Sequence, residues 1–397
     1  MPERIPPTHP GDLVEIHPEQ LVAGGDALAR IDGFPLFVPG LYPGDTALVE
    51  VTEVRRGFGR GVLRELRFAG PERRTNPCPV ASECGGCDWT ELRLDAQLRA
   101  KRSILLDSLR RVAKFSDAEI PPVRIHPSPL NYRIRSRIHA AGDGDPAIGF
   151  YAAESHRIVP LPAECEIVSP SVLRHLDELS RFGASTAGGT LEVFDSGNEL
   201  VVVDPSARST GEPVEVHVDP FSYRISTASF FQVNRHLLGT LIRLVMDLAG
   251  AISSRRSAAD LYAGAGFFAV PLATLFDSVI AVEASAESNR WAEINLHGCR
   301  NAKVVSTTVE QFVRRTRLDF DFVMVDPPRA GLHQSVTSAL GGMNGGTICY
   351  LSCDPVTLAR DASRLRRAGW SLSSLELVDL FPNTHHIETL SSFVRVA

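Results

Sequence analysis

The sequence predicts an α/β chain of three parts. A small N-terminal β-barrel of the oligonucleotide-binding type leads into a central α+β region and then a C-terminal, Rossmann-like doubly wound sheet. Three observations lead there. Short alternating segments punctuated by glycine and proline fill residues 1–69, the pattern of a small barrel. From residue 229 to the end, strand and helix patterns alternate, as in βαβ units. A cysteine-bearing stretch, residues 70–228, lies between them, and 397 residues are enough for two or three domains.

Composition sets bounds. With 44% hydrophobic and 22% charged residues the chain resembles ordinary globular proteins. No apolar run reaches the ~18 residues a membrane span needs, and Met1-Pro-Glu-Arg-Ile-Pro-Pro7 has no apolar signal core. A cytosolic setting is expected, in which seven cysteines serve as metal ligands or nucleophiles rather than disulfides. The net charge of −6 decides nothing about nucleic acid, because a local basic surface suffices to meet phosphates.

In chain order, Gly11–His17, Ala27–Ile31 and Asp45–Val54 alternate as strands, with Gly24-Gly25, Pro39-Gly40 and Pro43-Gly44 as turns. Arg55, Arg56 and Arg60 close this part as a candidate RNA contact or a solvated hairpin tip. A helix is expected over about 92–112, where Leu98, Ile104, Leu105, Leu109 and Val112 recur near helical spacing. The central part returns to strands at Val123–His126, Arg133–His139, Gly149–Tyr151 and Leu200–Val203. In the C-terminal part, helices at 233–250 and 268–275 alternate with strands at 258–262, 278–283, 303–306, 321–326 and 347–352.

Cys78, Cys84, Cys87 and Cys165 offer four thiolates, with Gly85-Gly86 letting the backbone wrap a compact centre. Four cysteines suit zinc or an iron–sulfur cluster. One close pair with two outliers, rather than two paired knuckles, favours [4Fe–4S]. The spacing is not the tight three-cysteine run of radical enzymes, and a fourth cysteine closes the cluster. Cys299 and Cys349 are expected to pack.

Asp260-Leu-Tyr-Ala-Gly-Ala-Gly266 follows a strand and opens a helix, so Gly264 and Gly266 allow close approach of a nucleoside cofactor. Glu283 ends the next strand, placed to accept hydrogen bonds from both ribose hydroxyls. From this turn alone a nicotinamide cofactor remains open, since Ala269 is an allowed third position of the dinucleotide fingerprint. Asp326-Pro-Pro-Arg-Ala-Gly331 and Cys353 each follow a strand, at the carboxyl edge where open α/β sheets place their chemistry. Cys353 beside Asp354-Pro355 reads as an ionisable thiol, and Glu388 before a final apolar strand as a candidate base.

Together these segments resemble the S-adenosylmethionine-dependent RNA uridine-C5 methyltransferases over nearly the whole chain. The matching pieces are the barrel, the four cysteines, Ala228-Ser-Phe-Phe-Gln-Val-Asn234, Asp260–Gly266, Asp326–Gly331, Ser352–Pro355 and Thr384–Glu388. The resemblance implies a TRAM barrel over 1–69, a central α+β domain with an iron–sulfur cluster over 70–228, and a class I methyltransferase domain over 229–397. It further implies Cys353 as nucleophile and Glu388 as base. Gln232, Tyr262, Gly264, Gly266, Glu283 and Asp326 fall around the cofactor. Phe267 stands where the family often has a polar residue, and Thr308 where an asparagine or aspartate is common.

The implied chemistry explains the combination. Attack of Cys353 on carbon 6 of uracil makes carbon 5 nucleophilic, a methyl group is taken from the sulfonium, and Glu388 removes the carbon-5 proton. A flipped-out uridine is required, in RNA gripped by the barrel and by a row of Arg133, Arg135 and Arg137 on one strand face. Barrel-bearing members lean toward ribosomal over transfer RNA, and a monomer is expected. Two other readings stand beside this one. A catalytically silent iron–sulfur RNA-binding protein would have no use for Cys353 and Glu388. An amino-group methyltransferase would carry an aromatic residue where Arg329 stands.

Overall fold

A computed structural model describes residues 7–140, 147–184, 189–197, 199–205, 213–227 and 229–395. The N-terminal strands form a six-stranded sheet in the order Leu13–Ile16, Thr46–Val54, Gly59–Phe68, Phe34–Val38, Ala27–Ile31 and Gln20–Leu21. Along Thr46–Val54 the period of two is plain: Ala47, Val49 and Val51 are fully buried. Three of these strands were not legible in the sequence, the two-residue Gln20–Leu21 among them. Phe34–Val38 carries Pro35, and Gly59–Phe68 is charged along its exposed face. Gly61 is required there, since a Cβ would come within 2.5 Å of Val49.

The helix Leu94–Arg111 is wedged between two cores. Ala96 and Ile104 pack with the N-terminal strands and Trp89, while Leu105 and Leu109 join Leu358, Ala359 and Leu365 on the C-terminal helix Pro355–Arg367. The central strands Ile158–Pro160, Ile148–Tyr151, Arg135–Ala140, Thr190–Asp195 and Leu200–Val203 form an antiparallel sheet. Its charged row differs from expectation. Arg133 lies before the strand and turns inward, half-buried, whereas Arg135 and Arg137 both pair with Glu192 across the ladder.

The C-terminal sheet has eight strands in the order Ala302–Ser306, Ser278–Glu283, Ser257–Leu261, Phe322–Val325, Thr347–Ser352, Glu388–Arg395, Trp370–Val378 and Val123–His126. Its central strands are buried throughout and read as unbroken apolar runs, as a sheet covered on both faces requires. Only Glu388–Arg395 runs antiparallel to its neighbours. Val123–His126, expected in the central region, is instead the edge strand here. A cross-strand charge pair accounts for the change: Arg124 lies opposite Glu376 and binds it through Nε (2.8 Å), and His126 Nε2 sits 2.9 Å from the same carboxylate. The helix expected from 233 begins at Leu238. The residues before it are extended, with the Ile134 N–H donating to the Val233 carbonyl and the Asn234 amide to Leu380 O and Ser128.

Candidate active site

The topology gathers the chemistry at one edge. Parallel strands deliver Tyr262, Glu283, Asp326 and Cys353 at their carboxyl ends. The antiparallel strand delivers Glu388 at its start, and the pairing of Ser352 with Thr389 brings Cys353 and Glu388 to the same rim. A cavity of about 610 Å³ opens there, lined by Cys353, Glu388, Asp326, Gln232, Tyr262, Gly264 and Glu283 among others. That size falls in the ordinary range for a small-ligand pocket.

Each wall is fixed locally. Cys353 lies between a buried strand end and the N-terminus of helix Pro355–Arg367, where Asp354 caps the N–H groups of Val356 (2.9 Å) and Thr357 (2.7 Å). The Asp326–Gly331 turn is clasped from below by Asp361, which accepts from the Leu332 N–H (2.7 Å), and by Arg360, which donates to Ala330 O (2.9 Å). Gln232 Nε2 donates to Asp326 at 3.0 Å. Tyr262, at φ +66°, and Gly264 and Gly266, at φ +55° and +86°, form a sharp turn after strand Ser257–Leu261. Gly266 shapes that turn without lining the cavity.

Glu283 accepts N–H groups from Gly264 (2.9 Å), Ala284 (2.8 Å) and Ser285 (2.7 Å). Three of its four lone pairs are therefore taken. Phe267 does not face the cavity; it is buried against Tyr223, Phe231 and Phe268. Thr308 is the N-cap of helix Val309–Arg315, accepting from the Gln311 N–H. Ala228 lies outside the described residues.

Burial dominates the electrostatics. It pushes the Cys353 thiol up to about 12, helped by the carboxyls of Glu388 and Asp326 and opposed by Arg329. Asp326 rises to about 7 by burial. Glu388, wholly enclosed, is held well above the usual carboxylate range by burial first and Asp326 second, again opposed by Arg329. His386 falls to about 4, so it is neutral near pH 7, and Arg329 lies 3.4 Å from its Nε2.

Sequence reasoning missed several wall residues, among them Arg329, His386 and Phe230. Arg329 and His386 stood inside known segments but carried no separate signal. Phe230, 61% exposed beside buried Phe231, packs against Gly264; its signal is an exposed aromatic in an extended segment, where neighbouring side chains point to opposite sides.

The four cysteines meet elsewhere. Cys78, Cys84, Cys87 and Cys165 line a second, enclosed cavity with Phe150, Ile167 and Asn383, and all four are free thiols. Gly85 and Gly86 sit close to their surroundings: a Cβ would lie 3.0 Å from Tyr151 O at one, and 3.3 Å from the Phe150 ring and 3.4 Å from the Cys84 sulfur at the other. Burial raises the thiols of Cys84, Cys87 and Cys165. Among the described residues no three His, Cys, Asp or Glu side chains stand grouped as ligands of a single metal ion. Cys349 is buried in the core and Cys299 packs against it.

A doubly wound sheet with one antiparallel strand, a glycine turn and an acidic residue ending the next strand define an S-adenosylmethionine-type methyltransferase. Comparison with known proteins agrees. Residues 208–395 match the tRNA (uracil-5-)-methyltransferase family and residues 8–63 the TRAM domain. An RNA methyltransferase of Gloeobacter violaceus is 31% identical, over 97% of each chain. The 23S rRNA (uracil(1939)-C(5))-methyltransferase RlmD of a Shewanella species is 27% identical, over 96% of this chain and 95% of that one. The fold is also that of a Pyrococcus abyssi tRNA (uracil-54, C5)-methyltransferase in complex with S-adenosyl-L-homocysteine. That structure has a TM-score of 0.72 at 24% identity, covering 96% of this chain and all of the other. The chain belongs to the S-adenosylmethionine-dependent RNA uracil-5-methyltransferase family.

Proposed function

We propose that the protein methylates carbon 5 of a uridine in RNA, ribosomal RNA rather than transfer RNA, through a covalent Cys353 adduct with Glu388 as general base. One observation carries the reading: the antiparallel strand sets Glu388 beside Cys353 in the cavity that also holds the cofactor turn. The RlmD relative supports the ribosomal preference.

S-adenosylmethionine supplies a methyl group on a sulfonium cation, and the acidic lining of Glu283 and Asp326 suits that charge. Once its proton has passed to solvent, the Cys353 thiolate bonds through Sγ to carbon 6 of the uracil, and the 5,6 double bond opens to an enolate that makes carbon 5 the nucleophile. Gln232 and Asp326, hydrogen-bonded to each other, hold the polar edge of the site. Glu388 then takes the carbon-5 proton, and re-forming the 5,6 double bond expels the Cys353 thiolate. Burial raises the proton affinity of the Glu388 carboxylate, and in its ionised form that affinity draws the proton from carbon 5.

The cysteine cavity fits a [4Fe–4S] cluster held by Cys78, Cys84, Cys87 and Cys165. Beside these free thiols Arg133 is half-buried, with its Nε lacking any hydrogen-bond partner, a cation suited to an anionic centre. Such a cluster would tie three chain segments together, and methyl transfer asks no electron of it. Labelled S-adenosylmethionine with unmodified ribosomal and transfer RNA transcripts, read by nucleoside mass spectrometry, tests the reaction. 5-Methyluridine in the ribosomal transcript is expected, and none in either would refute the reading. Glu388→Gln should accumulate a protein–RNA adduct and Cys353→Ala none.

A further inference from the structure

The segment between the last two strands, Phe381 to Glu388, borders both cavities. Phe381, His386 and Glu388 line the catalytic one, and Asn383 lines the cysteine one. Asn383 is wholly buried at φ +66°, a conformation asparagine tolerates better than most residues. Its Oδ1 accepts from Gln97 Nε2 and Arg74, both at 3.0 Å, and its Nδ2 donates to Glu166 at 2.8 Å. Its own N–H donates to Gln97 Oε1 at 2.8 Å, and its carbonyl accepts the N–H groups of Asp88 (3.2 Å) and Trp89 (3.0 Å). Two residues on, the His385 N–H donates to Asp88 at 3.0 Å.

Asp88 follows Cys87 and Glu166 follows Cys165. The hydrogen bonds of Asn383 and His385 therefore run from the catalytic segment to the chain immediately after two of the cysteines. We propose that Asn383 is a positioning residue for Glu388, through which the packing of the cysteine cavity fixes where the base stands. This rests on the reading of Glu388 as the base.

The geometry makes the link stiff. A left-handed residue with every polar group of its side chain engaged cannot rotate without stranding buried partners, each of which would lose a hydrogen bond. With Asn383 replaced, the segment stays tied to the sheet through the strand that Glu388 begins but loses the anchor that sets the path of the residues before it, and the Glu388 side chain drifts while Cys353, just beyond the end of another strand, stays.

Asn383→Gly keeps the backbone conformation and removes the amide; Asn383→Asp keeps the shape and sets a carboxylate against Glu166. Each is incubated with S-adenosylmethionine and a ribosomal transcript beside Glu388→Gln, and read by turnover, denaturant-stable protein–RNA adduct, iron content and calorimetric cofactor binding. The expected result is turnover lowered by about 10²-fold with adduct accumulating, while iron content and cofactor affinity stay at the wild-type level. Turnover without adduct in both variants would overturn the proposal. So would loss of iron and cofactor binding together with activity in both, which marks a purely structural role. If Glu388→Gln itself accumulates no adduct, the assignment of the base fails, and the proposal with it.

Discussion

Lys101 offers a quantitative test of how the N-terminal half supports the catalytic half. Its ammonium is fully buried, 2.6 Å from Asp379 and 2.9 Å from Phe381 O, above the Trp89 ring. Burial lowers its proton affinity, and the neighbouring Asp379 carboxylate opposes that shift. Lys101→Met keeps the hydrocarbon volume and strands the Asp379 carboxylate, only 6% exposed, without its cation. Breaking a buried pair from one side costs about 3–5 kcal/mol. At roughly 2–4 °C per kcal/mol for a unit of this size, the midpoint should fall by roughly 6–20 °C. Far-UV circular dichroism melts at neutral pH measure it. The double variant Lys101→Met/Asp379→Leu should recover most of the loss, because two apolar side chains often replace a buried ion pair at no cost. A single variant within ~1 kcal/mol of wild type, or a double variant no better than the single, would refute the reasoning.

Three further outcomes are expected. Asp260 is buried beneath the cofactor turn, and burial lifts it to about 8. The native state then keeps a proton that the unfolded chain has lost, so stability should fall as pH rises from about 4 toward about 8, by up to the order of 5 kcal/mol. Asp260→Asn should flatten that dependence in urea titrations at pH 5 and pH 8. Phe230→Ala should weaken S-adenosylmethionine binding by about 1–3 kcal/mol in calorimetry, if the exposed ring stacks on a base as its place over Gly264 implies. Thr308→Ala should cost about 0.5–2 kcal/mol of stability by removing the helix cap, with cofactor affinity unchanged.

What could be read from sequence followed strand-end logic. Asp326 and Cys353 each follow a buried apolar run, and the sheet places both where that pattern says. Glu388 could not be placed this way: it begins a strand, and only the reversed direction of that strand carries it to the same rim. Val123–His126 was misassigned because its reason for pairing, Glu376 opposite Arg124, lies 252 residues away. Arg133 was read as RNA-facing because charge is ordinarily exposed, and the buried Lys101 carried no signal, since burial with a distant partner leaves no local mark. Phe267 and Thr308 departed from the family pattern for structural reasons, as a packed ring and a helix cap.

The edge strand and the wedged helix also set limits on dissection. The catalytic sheet is completed by residues more than a hundred positions upstream of its first core strand, Ser257–Leu261, with the whole central sheet interposed. A fragment cut at the family match, 208–395, would leave Glu376 without Arg124 and Asp379 without Lys101, and would bare the flank where Leu105 and Leu109 now sit. The methyltransferase half is thus not a module that can be excised or swapped on its own. Its border in space and its border in sequence do not coincide, and any chimera between relatives must carry the segment 94–126 along with the C-terminal part.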